Sequence, residues 1–211
     1  MEFNTTKFQL LRYGKNVNLK ENTCYFTGKM KSVIEQVSSC KDLGVIMEDT
    51  GEFDQQIEKA CSKARQKASW ILRTFYSRNP NFLRHMFNTL VQPHLDYCSQ
   101  LWSPVEGGKM DKLEKVLKDY TRKIPAMKHM SYWDRLNNLK MNSELRRMER
   151  YKILYTWKVL ENKVPNPGIQ VVNESWISGD SRRGRLCSIP KSKNKMRNSS
   201  FQNFSTLYLK D

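Results

Sequence analysis

Leu90-Val-Gln-Pro-His-Leu-Asp-Tyr-Cys-Ser-Gln-Leu-Trp-Ser-Pro104 decides how the chain is read. Pro93 lacks a backbone donor and restricts Gln92, so a helix ending near Val91 must break or kink before the next helical run begins. Leu90, His94, Tyr97 and Leu101 recur at spacings of four, three and four, which predicts one shared face of a continuous or gently kinked helix. Trp102 supplies volume, and Pro104 stops the run. The stretch reads as a packed helical corner with no reactive constellation of its own. His94 and Cys98 sit one turn apart, but two ligands do not make a zinc site, and no CxxC or HxxxH pair accompanies them. No metal site is expected.

Helical periodicity continues on both sides. Upstream, Asp49-Thr-Gly-Glu52 predicts a capping box. The helix behind it carries an apolar stripe of Phe53, Ile57, Ala60 or Cys61, Ala64, Ala68, Ile71 or Leu72, and Phe75. Its other face holds Lys59, Lys63, Lys67 and Arg73, which either track phosphates or are simply solvated. Asn79-Pro80 opens a second helix that runs through Phe82, Met86, Phe87 and Leu90 into the corner. Beyond Gly107-Gly108, Met110 to Ile124 forms a third amphipathic helix burying Leu113, Val116 or Leu117, Tyr120 and Ile124. Lys115, Lys118 and Arg122 share another face of it, with Lys123 adjacent.

Ser131-Tyr-Trp-Asp134 starts a short helix to about Leu139. A last long helix, Ser143 to Glu161, is expected to bury Leu145, Met148, Tyr151 or Lys152, Tyr155 and Leu160. Arg146, Arg147 and Arg150 crowd its N-terminal end against the macrodipole, a placement that fits better beside a phosphate.

Residues 1–48 read as strands instead: Thr6 to Tyr13, then Thr23 to Thr27 and Ser32 to Val37 flanking a short turn at Gly28-Lys29. Lys41 to Met47 is a short apolar run with Gly44 inside it, which on local grounds marks a bulge more often than a close contact. From about Pro165 the composition turns polar and basic with no apolar period, which predicts a poorly ordered tail and a non-specific basic arm. The expected fold class is α+β, mostly α. Its parts are an antiparallel β-element over 1–48, a helical bundle over 49–165 and a basic tail over 166–211.

The 211 residues carry 37 Lys and Arg against 21 Asp and Glu, a net charge of +16. The excess lies in the second half: residues 105–165 hold 15 basic against 8 acidic groups. This balance favours a polyanionic partner, most often nucleic acid. A membrane surface is a weaker fit, for want of an apolar helix face free to insert. Five cysteines without paired spacing argue for free thiols in a reducing compartment. With no signal peptide and no apolar run of bilayer length, an intracellular chain, cytoplasmic or nuclear, is expected.

"LVQPHLDYCSQLWSP" resembles the thumb signature of the reverse transcriptases of non-LTR retrotransposons, the LINE and jockey-like group. Similar stretches extend over roughly 1–165: "MEFNTTK" resembles the end of the palm, "KDLGV" the primer-grip turn, "KLEKVLKDYTRKIP" the helix after the corner. "SYWDRLNNL" and "ELRRMERYKILYTWKVL" continue the likeness. The resemblance implies Leu43, Gly44 and Val45 as a primer grip holding the 3′ end of a growing strand. It aligns Lys7 with a palm lysine that helps protonate the leaving pyrophosphate, although Phe8 stands where the family usually has Cys. Where the family commonly has a Gln and a basic pair, this chain has Leu117, Lys118 and Asp119.

Nucleotidyl transfer on two metal ions needs converging carboxylates. The family places two adjacent aspartates on a palm hairpin, and no adjacent Asp pair occurs in the sequence. The expectation is therefore no polymerase activity from the chain alone, no cofactor of its own and no catalytic residue, although the parent enzyme would need Mg2+. Its endonuclease is not expected here either. Three roles follow: a thumb fragment binding RNA or an RNA–DNA hybrid weakly and without sequence preference; a fragment complemented by the missing palm and fingers in trans; or an inert or protein-interacting remnant. Lys63, Lys67, Lys118, Arg122 and Lys123 are the phosphate-contact candidates by charge and periodicity.

Overall fold

The computed structural model describes residues 8–13, 25–27 and 31–165. The fold is mostly helical with small two-stranded sheets. The expected tail over 166–211 lies outside the described residues. The chain divides into two compact units, Met1–Gln56 and Ile57–Asp211.

The first unit is built of strand pairs. β1 (Gln9–Leu11) pairs with β4 (Glu35–Val37), while β2 (Tyr25–Thr27) pairs with β3 (Lys31–Val33). β5 (Ser39–Asp42) pairs with β6 (Val45–Glu48). The last two pairs are antiparallel, as expected, but β1–β4 runs parallel. Asp42 faces Val45, so Leu43 and Gly44 form a two-residue turn with φ of 43° and 90°. Gly44 is thus no bulge within one strand. Positive φ at both central residues is the geometry that follows the right-handed strand twist, and glycine adopts it without steric cost. Leu43 adopts it too, with its side chain 84% exposed.

The expected capping box at Asp49–Glu52 does not form. Asp49 N donates to Ser38 O and Gly51 N to Glu48 O, which makes this segment a turn. α1 (Asp54–Thr74) starts later and takes its cap from Glu48, whose carboxylate accepts from Gln55 N (3.0 Å) and Gln55 Nε2 (3.1 Å). The carboxylate also favours the positive end of the helix dipole.

The second unit follows the predicted stripes closely at first. Ile57, Ala60, Cys61, Ala64, Ala68 and Ile71 of α1 are buried, and the small side chains allow close approach: Cys61 Sγ reaches Lys112 O at 3.6 Å. Arg78 donates to the carbonyls of Leu72 and Phe75, satisfying the C-terminal end of α1. Asn79 Oδ1 then accepts from the amides of Asn81 and Phe82 to start α2 (Pro80–Leu90), with Pro80 in the first turn as expected.

The corner departs from its expected register. α3 (Gln92–Asp96) ends at Tyr97, Cys98 takes a left-handed φ of 53°, and α4 (Ser99–Trp102) begins on a new phase. Val91, Gln92, Leu95, Ser99 and Trp102 face inward, while Tyr97 and Leu101 are 53% and 45% exposed. The predicted Leu90–His94–Tyr97–Leu101 face required an unbroken helix, and Cys98 breaks it. Trp102 fills the corner as predicted, 1% exposed, its Nε1 donating to Tyr97 O at 2.8 Å.

α5 (Gly107–Arg122) buries Leu113, Val116, Leu117 and Tyr120, with Ile124 just beyond, as its periodicity predicts. Tyr120 OH donates to Leu83 O (2.8 Å) and its ring lies 4.8 Å from that of Phe87, joining α5 to α2. α6 (Tyr132–Leu139) is capped by Ser131, and Lys140 closes it in a left-handed conformation, with Met141 N donating to Leu136 O. α7 (Glu144–Leu160) is capped by Ser143. Its inward face is Glu144, Met148, Lys152, Thr156 and Val159, whereas Leu145, expected inside, is 47% exposed.

Candidate nucleic-acid interface

α5 turns its second face toward the segment 130–135. Asp111, Lys115, Lys118, Asp119 and Arg122 form one wall of a groove of roughly 700 Å³, and Met130, Ser131, Tyr132 and Arg135 form the other. A neighbouring concavity of roughly 630 Å³ shares Asp119 and Arg122 and adds Lys123, Pro125 and Lys128. Together they gather six cations against two carboxylates. Among the described residues, Lys115, Lys118, Arg122, Lys123 and Lys128 are in no ion pair, so their charge is available to a ligand.

The wall opposite α5 is held rigidly. Arg135, buried, donates from Nε to Thr121 Oγ1 (3.2 Å) and from Nη1 to Met130 O (3.0 Å). Tyr132 OH donates to Glu114 Oε1, and burial followed by that carboxylate pushes the phenol well above its ordinary value, so it stays neutral. Lys118 Nζ sits 5.2 Å over the Tyr132 ring, a cation–π contact between the two walls of the groove.

Behind the groove lies a polar network that the sequence did not reveal. Glu114 Oε2 accepts from the backbone amides of Glu144 (2.8 Å) and Leu145 (3.3 Å), so a side chain of α5 satisfies the first turn of α7. Gln92 Nε2 donates to Glu144 Oε2 (3.0 Å) and Asp96 Oδ1 (2.9 Å). Arg147 donates to Asp96 Oδ2 at 2.7 Å, and Tyr151 OH donates to the same oxygen at 3.0 Å. Arg147 is therefore spent within the protein, whereas Arg146 and Arg150 remain exposed. Burial raises Glu144 to about 8, reinforced by Asp96 and Glu114 and opposed by the Gln92 hydrogen bond and Arg147. Burial lowers Lys152 to about 8.

Of the residues expected to touch phosphate, Lys118, Arg122 and Lys123 meet in this groove. Lys63 and Lys67 do not line it. They project from the exposed face of α1, where burial and then these two lysines lower the pKa of His94 on α3, and Lys67 Nζ lies 5.7 Å from the Trp70 ring. Leu43, Gly44 and Val45 form the β5–β6 turn of the first unit, with Val45 buried. Lys7 lies outside the described residues. Lys115 was visible on the face of Lys118 and Arg122, but Lys128 carried no signal, because a 3-10 turn at Pro125–Met127 separates it from the helical period. Among the described residues no group of three His, Cys, Asp or Glu could hold a metal ion, and no helix is long and apolar enough to cross a membrane.

A curated Caenorhabditis elegans protein, itself uncharacterized, is 26% identical over 144 residues, an alignment covering 66% of this chain and 72% of that protein. No family model matches the chain, and no solved structure matches it.

Proposed function

We propose that the helical unit is a thumb-like nucleic-acid-binding module of the kind the non-LTR retrotransposon reverse transcriptases carry. Its role is sequence-independent contact with the phosphates of RNA or an RNA–DNA hybrid. The observation that carries this reading is the groove, which gathers six cations and two carboxylates; Arg135 is held by Thr121 and Met130, and the other five stay out of internal ion pairs. Lysines and arginines without base-reading partners neutralise phosphates and release counterions, giving affinity that falls with salt. In this reading the chain performs no nucleotidyl transfer by itself, since it lacks the adjacent aspartates that would hold two metal ions. In the same reading the Leu43-Gly44 turn serves as the primer grip.

The test is fluorescence anisotropy of a labelled RNA–DNA hybrid over a series of salt concentrations. The log–log slope should be about −0.9 per phosphate contact, as for duplex DNA. The double variant Lys118→Glu, Arg122→Glu should weaken binding and flatten the slope. A folded wild-type chain that leaves the hybrid free at low salt sinks the proposal.

A second reading, a protein-interacting remnant, draws on α7. Leu145, Ile153, Leu154 and Trp157 are all more than two-fifths exposed along that helix. Against it, Lys163 Nζ already lies 3.9 Å over the Trp157 ring, so part of this surface is covered by the chain itself.

A further inference from the structure

Resting on the groove reading above, we propose that Trp133 is a stacking platform for an unpaired nucleobase. The favoured occupant is therefore a single strand of nucleic acid. Trp133 opens α6 beside the groove wall and is 64% exposed, although tryptophan is mostly buried on average. Its neighbour Tyr132 cannot serve as the platform. The Tyr132 hydroxyl is tied to Glu114, and Lys118 and Arg135 approach its ring at 5.2 and 5.7 Å.

The indole stands 5.2 Å from that fixed ring, inclined by 53°. Ser131 holds the backbone that presents it by accepting from Asp134 N (3.2 Å) while donating to Asp134 Oδ2 (2.6 Å). An exposed aromatic ring on a capped helix start therefore stands next to Tyr132, a residue of the cation-lined groove. That combination fits single strands, whose phosphates run along the charges while a base lies flat on the ring. The interior bases of a duplex are stacked on one another and offer no free face to the indole.

Binding of a short fluorescein-labelled oligothymidylate and of a blunt duplex of the same strand would be compared for wild type, Trp133→Ala and Trp133→Phe. Trp133→Ala should weaken the oligothymidylate about tenfold and leave the duplex within about twofold, while Trp133→Phe keeps most of the single-strand affinity. Trp133→Phe should also remove the quenching of tryptophan fluorescence that the single strand produces on wild type. The exposure of Trp133 predicts that both variants keep the wild-type circular dichroism spectrum.

Single-strand affinity unchanged by Trp133→Ala overturns the platform, as does an equal loss on both ligands. If that occurs while Lys118→Glu, Arg122→Glu still abolishes binding, the groove stands and only the platform falls. If the charge reversal is silent as well, both fall together.

Discussion

The two units of this chain hold themselves together in opposite ways. In the first, strands of three or four residues pair through their backbones, β2 with β3 and β5 with β6 as neighbours in sequence and β1 with β4 from further along the chain, and among the described residues Val45 is the one buried apolar side chain. In the second, helices far apart in sequence bury a continuous apolar core and thread a charged network through it: Gln92 reaches Glu144, and Glu114 caps α7. The first unit depends on backbone geometry at its turns, the second on partners thirty to fifty-five residues away. Substitutions should therefore cost far more in the second unit than in the first.

The largest effect should come from Trp102→Ala, which empties the corner and removes the indole donor to Tyr97 O. A loss of about 3–5 kcal/mol in urea denaturation is expected, and a loss below about 1 kcal/mol, in the range of surface substitutions, would dissolve the contrast. Next comes Glu114→Ala, which leaves two amides of α7 and the Tyr132 hydroxyl without partners. It should cost about 2–4 kcal/mol, and Glu114→Gln, which retains one acceptor oxygen, should cost less.

Glu144 sharpens the contrast through pH. Its folded-state value of about 8 stands above its ordinary 4.5, so the folded chain keeps a proton that the unfolded chain has released. Its contribution is fully present below 4.5 and is lost as pH rises through about 8. Glu144→Gln should flatten that loss and stabilise the protein by about 1–3 kcal/mol at the alkaline end, measured by thermal unfolding across pH. Lys152 works in the other direction: its contribution is present above 10.5 and lost as pH falls through about 8. The smallest effect belongs to the β5–β6 turn. Leu43→Asn should gain about 0.5–1 kcal/mol by suiting the left-handed conformation better, and Gly44→Ala should lose a similar amount, both read from local amide exchange.

What could be read beforehand was what is local. Asn79, Ser131 and Ser143 announce helix starts because a cap acts over two or three residues. The stripes of α1 and α5 are legible because each is an unbroken helix. The register of α3 and α4 was not, since nothing in Tyr97-Cys98 declares a left-handed residue. Nor was the start of α1, whose cap comes from Glu48 across a turn. On α7 the hydropathy of Leu145 pointed inward, but Glu144 takes the buried place because Gln92 and Glu114 are waiting for it. In the candidate site, charge and periodicity found Lys118, Arg122 and Lys123. Geometry supplied Lys128, Arg135 and the fixed ring of Tyr132, because the wall that carries Tyr132 and Arg135 comes from a separate helix.

The bond from α5 to the first turn of α7 also sets a rhythm of opening. Amides at the start of a helix ordinarily fray, because no carbonyl of the same helix receives them. Those of Glu144 and Leu145 instead end on a buried carboxylate supplied by another helix, 30 residues upstream of Glu144. Neither can meet solvent until α5 and α7 part. Two hydrogens at a helix end should therefore exchange as slowly as the core, and α5, α6 and α7 should open as one cooperative block.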